Sequence, residues 1–147
     1  QLMAKAMGGQ VTRNPVKEIG WGKVDVVTSP EAERWFGAPV ASFESFHWHG
    51  ETFSIPPGAT RLASSAHCEN QMFALGPHLA MQCHVEMTPE LIRAWCNDWG
   101  KEVSALAARV PSVQTPDEMT AGLEQRVQAL NAVADRLYAC WMERLAG

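Results

Sequence analysis

The chain has 147 residues, a formal net charge of −4, 46% apolar residues and 19% charged residues. A chain of this length buries about 68–70% of its unfolded surface, so one domain with a real core is expected. The acidic balance, with Lys and Arg dispersed, gives no reason to expect nucleic acid or a membrane as partner. No apolar run reaches the roughly 20 residues of a transmembrane helix and no leader pattern is seen, so a cytoplasmic location is expected.

The first half of the chain predicts a short helix followed by strands. Apolar residues at helical spacing precede Gly8 and Gly9, where a helix should end. The β-branched stretch that follows predicts short strands broken at Gly20 and Gly22. Ser29 before a proline predicts a brief helix. Residues 42–86 then contain several short strand candidates, separated by turns such as IPPGA and LGPH.

The second half predicts helices. Thr88 before a proline should cap a helix that runs to Gly100. Thr115 and Glu118 have the spacing of a capping box, which predicts a long helix over about 116–146. Its apolar face comprises Met119, Leu123, Val127, Leu130, Leu137, Trp141 and Leu145. A strand-rich middle flanked by helices indicates an α/β or α+β fold.

The four cysteines are expected to be reduced thiols. Cys68, Cys83, Cys96 and Cys140 are widely separated and form no CxxC pair. A disulfide framework or a zinc knuckle would require paired spacing.

Three short clusters combine histidine with a carboxylate: residues 47–51, 67–69 and 84–86. In the first, His47 and His49 would share one face of a strand, as two ligands of a divalent cation must. With Glu51 they would form a metal site in a β protein. This is one alternative for the function of the chain.

His84 and Glu86 indicate acid–base chemistry. A carboxylate that accepts one ring N–H of a histidine fixes its tautomer and increases its basicity. At positions i and i+2 at the end of a strand, the two side chains can lie on the same side. A nucleophile for this pair is not evident, because Cys83 should point to the opposite face. Cys68 has only its sequence neighbours in its favour.

Several segments resemble the class I, or triad-type, glutamine amidotransferases, in particular the glutaminase part of GMP synthase. They occur in order over residues 1–99: QLMAKAMGGQV, KEIGW, FHWHGETFSIPPGATRLASS, NQMFALG and LAMQCHVEMTPELIRAW. The family signature Phe-His-Pro-Glu matches residues 83–86 at His and Glu and differs at the other two positions. The resemblance implies a flavodoxin-like, mostly parallel sheet flanked by helices, of which this chain would be the C-terminal part without the N-terminal strands.

The resemblance also implies an activity, namely hydrolysis of the side-chain amide of L-glutamine by a Cys-His-Glu triad, with delivery of ammonia to an acceptor. His84 would transfer the proton and Glu86 would orient His84. Trp48 and His49 match the family's Ser-His-Gly-Asp segment, and Gln1 matches the last position of its Gly-x-Cys-x-Gly-x-Gln elbow, so these three are expected to bind glutamine. The nucleophilic cysteine would lie just before residue 1, and the chain alone should be inactive. No cofactor or metal is implied.

Two further expectations concern partners. The ammonia acceptor is not encoded in any stretch of the chain. A sheet without its first strands would expose an edge and an apolar face, so association with the missing N-terminal half, or with a second copy of the chain, is expected. The alternative within the same family is a catalytically dead domain that senses a ligand or mediates an interaction.

Overall fold

The computed structural model describes residues 1–146, which form five helices and five strands. In chain order these are α1 (Leu2–Ala6), β1 (Val11–Val26), α2 (Pro30–Phe36), β2 (Ser42–Phe53), β3 (Thr60–Ser65), β4 (Met72–Leu75), β5 (His78–Met81), α3 (Pro89–Ala107), α4 (Pro116–Thr120) and α5 (Leu123–Ala146). Within the described range, none of the helices combines the length and apolar character that a membrane span needs.

The strands form one sheet in the order β2-β1-β3-β4-β5. All four pairings are antiparallel. The prediction of helices combined with a sheet is confirmed, but the predicted mostly parallel arrangement is wrong for these strands. The physical reason lies in the connections: only residues 66–71 join β3 to β4 and only 76–77 join β4 to β5. Parallel neighbours need a crossover of about a dozen residues or more. A flavodoxin-like topology is not confirmed.

Strand β1 is a single long strand, whereas the sequence predicts short strands broken at Gly20 and Gly22. The pairing of β1 with β2 is irregular between Arg13 and Glu18, and both glycines stay paired. Pro15 lies in the irregular part, where it cannot donate a ladder hydrogen bond. The interruption therefore falls at the proline, near the start of the strand.

The buried side chains form two clusters, one on each face of the sheet. The larger one packs beneath helices α2, α3 and α5; its fully buried members include Trp35, Phe36, Phe46, Leu62, Met72, Met87, Ile92, Met119, Leu123 and Leu130. The smaller one consists of Ala4 from α1 with Phe53, Phe73 and Ala80. Met72 and Phe73 are adjacent on β4, so they point to opposite faces. Helix α1 therefore covers the second face.

The predicted C-terminal helix is divided in two. The capping box of Thr115 and Glu118 is present, as predicted, but α4 ends at Thr120. Ala121 is extended, with ψ of 122°, and Gly122 has φ of 61°. A residue with positive φ cannot continue a right-handed helix, so α5 begins anew at Leu123.

Gly122→Ala should lower the free energy of unfolding by about 1–2 kcal/mol, which is the cost of a left-handed conformation for a residue with a Cβ. No atom lies within 4 Å of the position of that Cβ, so the cost comes from the backbone alone. Gly100→Ala is the matched control, because Gly100 lies inside α3 and its Cβ would make only ordinary contact. That change should stabilise the protein by about 0.5–1 kcal/mol. Equal effects of the two changes in urea unfolding would contradict the prediction.

Candidate active site

His84 is held by backbone pairing at the outer edge of β2. Its N–H donates to the carbonyl oxygen of Phe46 at 2.8 Å, and the N–H of Phe46 donates to His84 O at 3.4 Å. Strand β5 is one edge of the sheet and β2 is the other edge. Within a few residues of leaving β5, the chain pairs with β2 through His84. This return fixes the backbone of His84 against the sheet just before α3 begins.

The side chains of His84 and Glu86 contact each other, as their spacing predicted. His84 Nδ1 lies 2.7 Å from Glu86 Oε1. The hydrogen bond from His84 is the largest influence on Glu86 and holds the pKa of its carboxyl below the ordinary value. A carboxylate only accepts, so Nδ1 carries the proton and Nε2 is left for proton transfer. The geometry is that of a base with its orienting group; the catalytic role itself stays a prediction.

This pair leads to a prediction about pH. Because the folded-state pKa of Glu86 is lowered, the pair stabilises the fold above the ordinary carboxyl pKa of about 4.3 and ceases to do so as the pH falls through the folded value. Glu86→Gln should therefore be slightly less stable than the wild type at neutral pH and equally stable at an acidic pH below the folded-state pKa of the Glu86 carboxyl, where that carboxyl is protonated. Urea unfolding at both pH values measures this. A difference that persists at the acidic pH would contradict it.

A cavity of about 390 Å³ contains His84 and all three residues predicted to bind glutamine. Gln1, Trp48 and His49 line it, together with residues 79–82. Gln1 Nε2 donates to Gln82 Oε1 at 2.9 Å, which ties the start of the chain to the end of β5. The structure thus brings these predicted residues together from both ends of the sheet. Their contact with glutamine remains a prediction.

An aromatic wall stands beside the cavity. The rings of His84 and Trp95 meet edge to face with centroids 5.4 Å apart, and Trp95 packs in the same way on Trp48 at 5.1 Å. Trp99 continues the wall and is 44% exposed. Nothing in the sequence indicates that Trp95 would contact the histidine. Trp95 limits the positions that the imidazole can adopt.

None of the four cysteines, all of which lie in the described part of the chain, lines this cavity. Cys83 precedes His84 but is buried on the other side, where burial raises the pKa of its thiol to about 12. Burial also raises the pKa of Cys68 and Cys96. Cys140 lies on α5 and is half-buried. Within the described residues, therefore, no thiol shares the cavity with His84.

The thiols should differ in reactivity. We expect Cys140 to react first with a thiol reagent in the native protein, and Cys68, Cys83 and Cys96 to react only as the protein unfolds, because their thiolates are disfavoured by burial. Colorimetric titration with and without denaturant measures this, and Cys140→Ser should remove the fast phase. A fast phase that survives this change would show that a buried thiol is accessible.

A second polar cluster lies inside the protein beside the cavity: Glu18, His47 and His49. They are 5%, 2% and 9% exposed, and their potential ligand atoms all lie within 4.8 Å of one another. The predicted shared face of His47 and His49 is therefore observed. The prediction that Glu51 is the third member of this cluster is wrong. Glu51 is exposed, and its backbone carbonyl oxygen, not its carboxylate, lies 3.0 Å from His49 Nδ1.

Sequence reasoning missed Glu18. It stands on β1 directly opposite His49 of β2, so the register of two strands creates the contact. Burial is the largest influence and raises the pKa of Glu18, but hydrogen bonds from His49 and Ser65 and the nearby imidazoles outweigh it, so this pKa is lowered. Burial lowers the pKa of His47 to about 4. Because side chains alternate between the two faces of a strand, the sequence of residues 17–24 assigns Glu18 to one face of β1, but it does not identify His49 as its partner.

Comparison with known proteins gives the family context for this geometry. No family model matches the chain. The crystal structure of a glutamine amidotransferase from Methylobacillus flagellatus superposes with a TM-score of 0.93 over 98% of this chain, at 40% sequence identity. The chain is a homologue of glutamine amidotransferase-like proteins. A second glutamine amidotransferase structure, from Thermotoga maritima, gives a TM-score of 0.84 over 97% of this chain at 27% identity, and the match covers 59% of that protein.

Two other amidotransferase-like relatives match parts of the chain. The candidate glutamine amidotransferase-like protein YfeJ of Salmonella typhimurium is 31% identical over 96 residues, which are 63% of this chain and 39% of YfeJ. A candidate GMP synthase component from Thermoplasma acidophilum has 30% identity and a TM-score of 0.53, covering 59% of this chain and 44% of that one. The chain also spans only 59% of the Methylobacillus protein. It therefore corresponds to part of the length of each of these amidotransferase-like relatives.

Proposed function

We propose that residues 1–147 form the base-carrying part of a glutamine-hydrolysing site in an amidotransferase. His84 transfers the proton, Glu86 orients His84, and the nucleophilic cysteine is supplied from outside these residues. One observation carries the proposal: His84, with Nδ1 bound to a carboxylate, lines the same cavity as Gln1, Trp48 and His49. None of the four cysteines, all of which lie in the described part of the chain, lines this cavity. The nucleophile that faces His84 would therefore be another residue.

The reaction follows from this arrangement. His84 Nε2 accepts the thiol proton, and the thiolate sulfur attacks the side-chain amide carbon of glutamine. The tetrahedral oxyanion is stabilised by backbone N–H groups, and the C–N bond breaks as His84 returns the proton to the departing ammonia. Water, deprotonated by His84, then cleaves the thioester to release glutamate and restore the thiol. Glu86 stabilises the imidazolium in both halves of the reaction.

Glutamine would lie in the cavity against backbone groups of Trp48 and His49. These residues are on β2, whose pairing with β1 fixes their backbone on the wall of the cavity. Gln1 would complete the wall at the start of α1. The cavity of about 390 Å³ is of the size that small-molecule sites usually have, about 300–1,000 Å³. The ammonia produced would pass to an acceptor on the same or another polypeptide.

The test is an assay of glutamate and ammonia release from glutamine, applied to the 147-residue chain, to a longer protein that carries the upstream cysteine, and to that longer protein with the cysteine replaced by serine. We expect hydrolysis by the longer protein alone. Hydrolysis by the short chain would refute an external nucleophile. Glutamine binding without hydrolysis by the longer protein would refute the enzyme and support a ligand-sensing domain.

A further inference from the structure

The cluster of Glu18, His47 and His49 has the form of a metal-binding site. Adjacent strands supply its members: Glu18 of β1 pairs with His49, and Gly20 of β1 pairs with His47. His47 and His49 lie two residues apart on β2, so their imidazoles leave the same face of the sheet. All three side chains are buried, and each offers one ligand atom within 4.8 Å of the other two.

His47 has no hydrogen-bond partner in the described part of the chain. Its ring is 2% exposed, and neither Nδ1 nor Nε2 makes a hydrogen bond. The space for the ring depends on Gly22, since a Cβ there would come within 2.9 Å of His47 Cδ2. Leaving a buried polar group without a partner costs about 1–3 kcal/mol, so a side chain of this kind usually has a partner. The imidazole points to a ligand that binds nitrogen lone pairs.

The tautomer of His49 also favours a ligand that binds nitrogen lone pairs. His49 Nδ1 lies 3.0 Å from the backbone carbonyl oxygen of Glu51, and a carbonyl can only accept, so Nδ1 carries a hydrogen. In the neutral ring Nε2 then carries a lone pair. It lies 3.1 Å from Glu18 Oε2 and 3.3 Å from Gln71 Nε2, which can donate a hydrogen to it. In the metal-free protein a proton on Nε2 makes the hydrogen bond to Glu18, and a bound cation would take the place of that proton between the two atoms. A backbone carbonyl that fixes the outer ring nitrogen is also the usual support of a metal-bound histidine.

We propose that Glu18, His47 and His49 bind one divalent transition-metal cation, with Zn²⁺ as the probe. Two imidazoles and a carboxylate are a known zinc ligand set, with bonds of about 2.0–2.2 Å. Ligand atoms this close to one another can reach those bond lengths by a modest contraction of the cluster. Ser65 Oγ and Gln71 Nε2 donate to the carboxylate of Glu18 at 2.8–2.9 Å and would hold it in place.

The site has an access route. Glu18 and His47 line a cavity of about 220 Å³ that is distinct from the glutamine cavity and is bordered by Gly22, His67 and Gln114. It leaves room for water as a fourth ligand. The cation would act on structure: by fixing His49 it would hold the part of β2 whose backbone borders the glutamine cavity. The metal proposal does not depend on the proposed glutamine hydrolysis, because binding is measured without glutamine.

The experiment is calorimetric titration of the purified protein with Zn²⁺ after dialysis against a chelator. We expect about one ion per chain, and His47→Phe should weaken binding by at least about 100-fold, since even loss of a supporting partner costs 10–100-fold. Zn²⁺ should also raise the thermal midpoint of the wild type but not of this variant. Glu18→Gln, which keeps the side-chain shape, gives a second test should His47→Phe fail to fold.

Two exposed residues provide matched controls. His78→Gln and Glu51→Gln remove the same chemical groups from the surface and should leave stoichiometry and affinity unchanged. A dialysed wild type that binds no Zn²⁺ at a defined stoichiometry would overturn the proposal. So would unchanged affinity in His47→Phe, or a loss of binding in Glu51→Gln equal to that in Glu18→Gln. In those cases the cluster is a proton-bridged pair of Glu18 and His49.

Discussion

His84→Gln should lower kcat for glutamine hydrolysis by about 10²–10⁴-fold in a protein that also carries the nucleophile, which is the range that a positioned general acid–base contributes. The introduced glutamine side chain has a volume similar to that of histidine, but its amide cannot take up or return a proton. His84 is 29% exposed and its backbone is held by Phe46, so the variant should fold and retain most of its stability. Steady-state release of ammonia measures the effect.

The control for this prediction is His78→Gln. His78 opens β5 and lies outside the cavity, so its loss should leave kcat unchanged. Binding gives a second readout, because the KM for glutamine should change little in His84→Gln if the imidazole acts on the proton and not on the substrate. A loss below 10-fold in kcat would contradict the assignment of His84 as the base, as would an equal loss in His78→Gln.

The candidate site shows what a linear sequence can reveal. The separation of His84 and Glu86 by one residue is a local property, so their contact was predictable from spacing alone. The shared face of His47 and His49 is equally local. Glu18 is different, since it joins them only through the register of β1 against β2. Register depends on the connection through α2, on the irregular pairing and on the burial of whole strands, which no short motif encodes.

The errors in the predicted fold have a similar origin. The turn at residues 75–78 was recognised, and a two-residue link between strands permits only an antiparallel pair. Family resemblance nevertheless favoured a parallel sheet, and the local signal was the correct one for these strands. In the C-terminal region the reverse happened. The apolar residues keep a helical spacing on both sides of Gly122, so the sequence predicts one continuous helix. The φ of 61° at Gly122, which divides that helix, does not affect this spacing.

Phe46→Ala should cost about 3–5 kcal/mol of the free energy of unfolding, the range for truncating a fully buried phenylalanine. Phe46 is 0% exposed, and its ring contacts Trp21 at 5.3 Å and Trp48 and Trp95 at 6.2 Å between centroids. The free energy of unfolding of a whole domain is typically about 5–15 kcal/mol, so the variant should be only marginally stable. Denaturant unfolding of the variant and wild type measures the loss.

The same change should reach the candidate site through the backbone. The N–H of His84 donates to Phe46 O at 2.8 Å, so loosening this part of β2 should speed amide exchange at His84. Trp99→Ala is the matched control: it removes an aromatic ring that is 44% exposed, and both its stability loss and its effect on exchange should be clearly smaller. If Phe46→Ala costs less than about 1 kcal/mol, or leaves exchange at His84 as slow as in the wild type, then the core and the base are not coupled through β2.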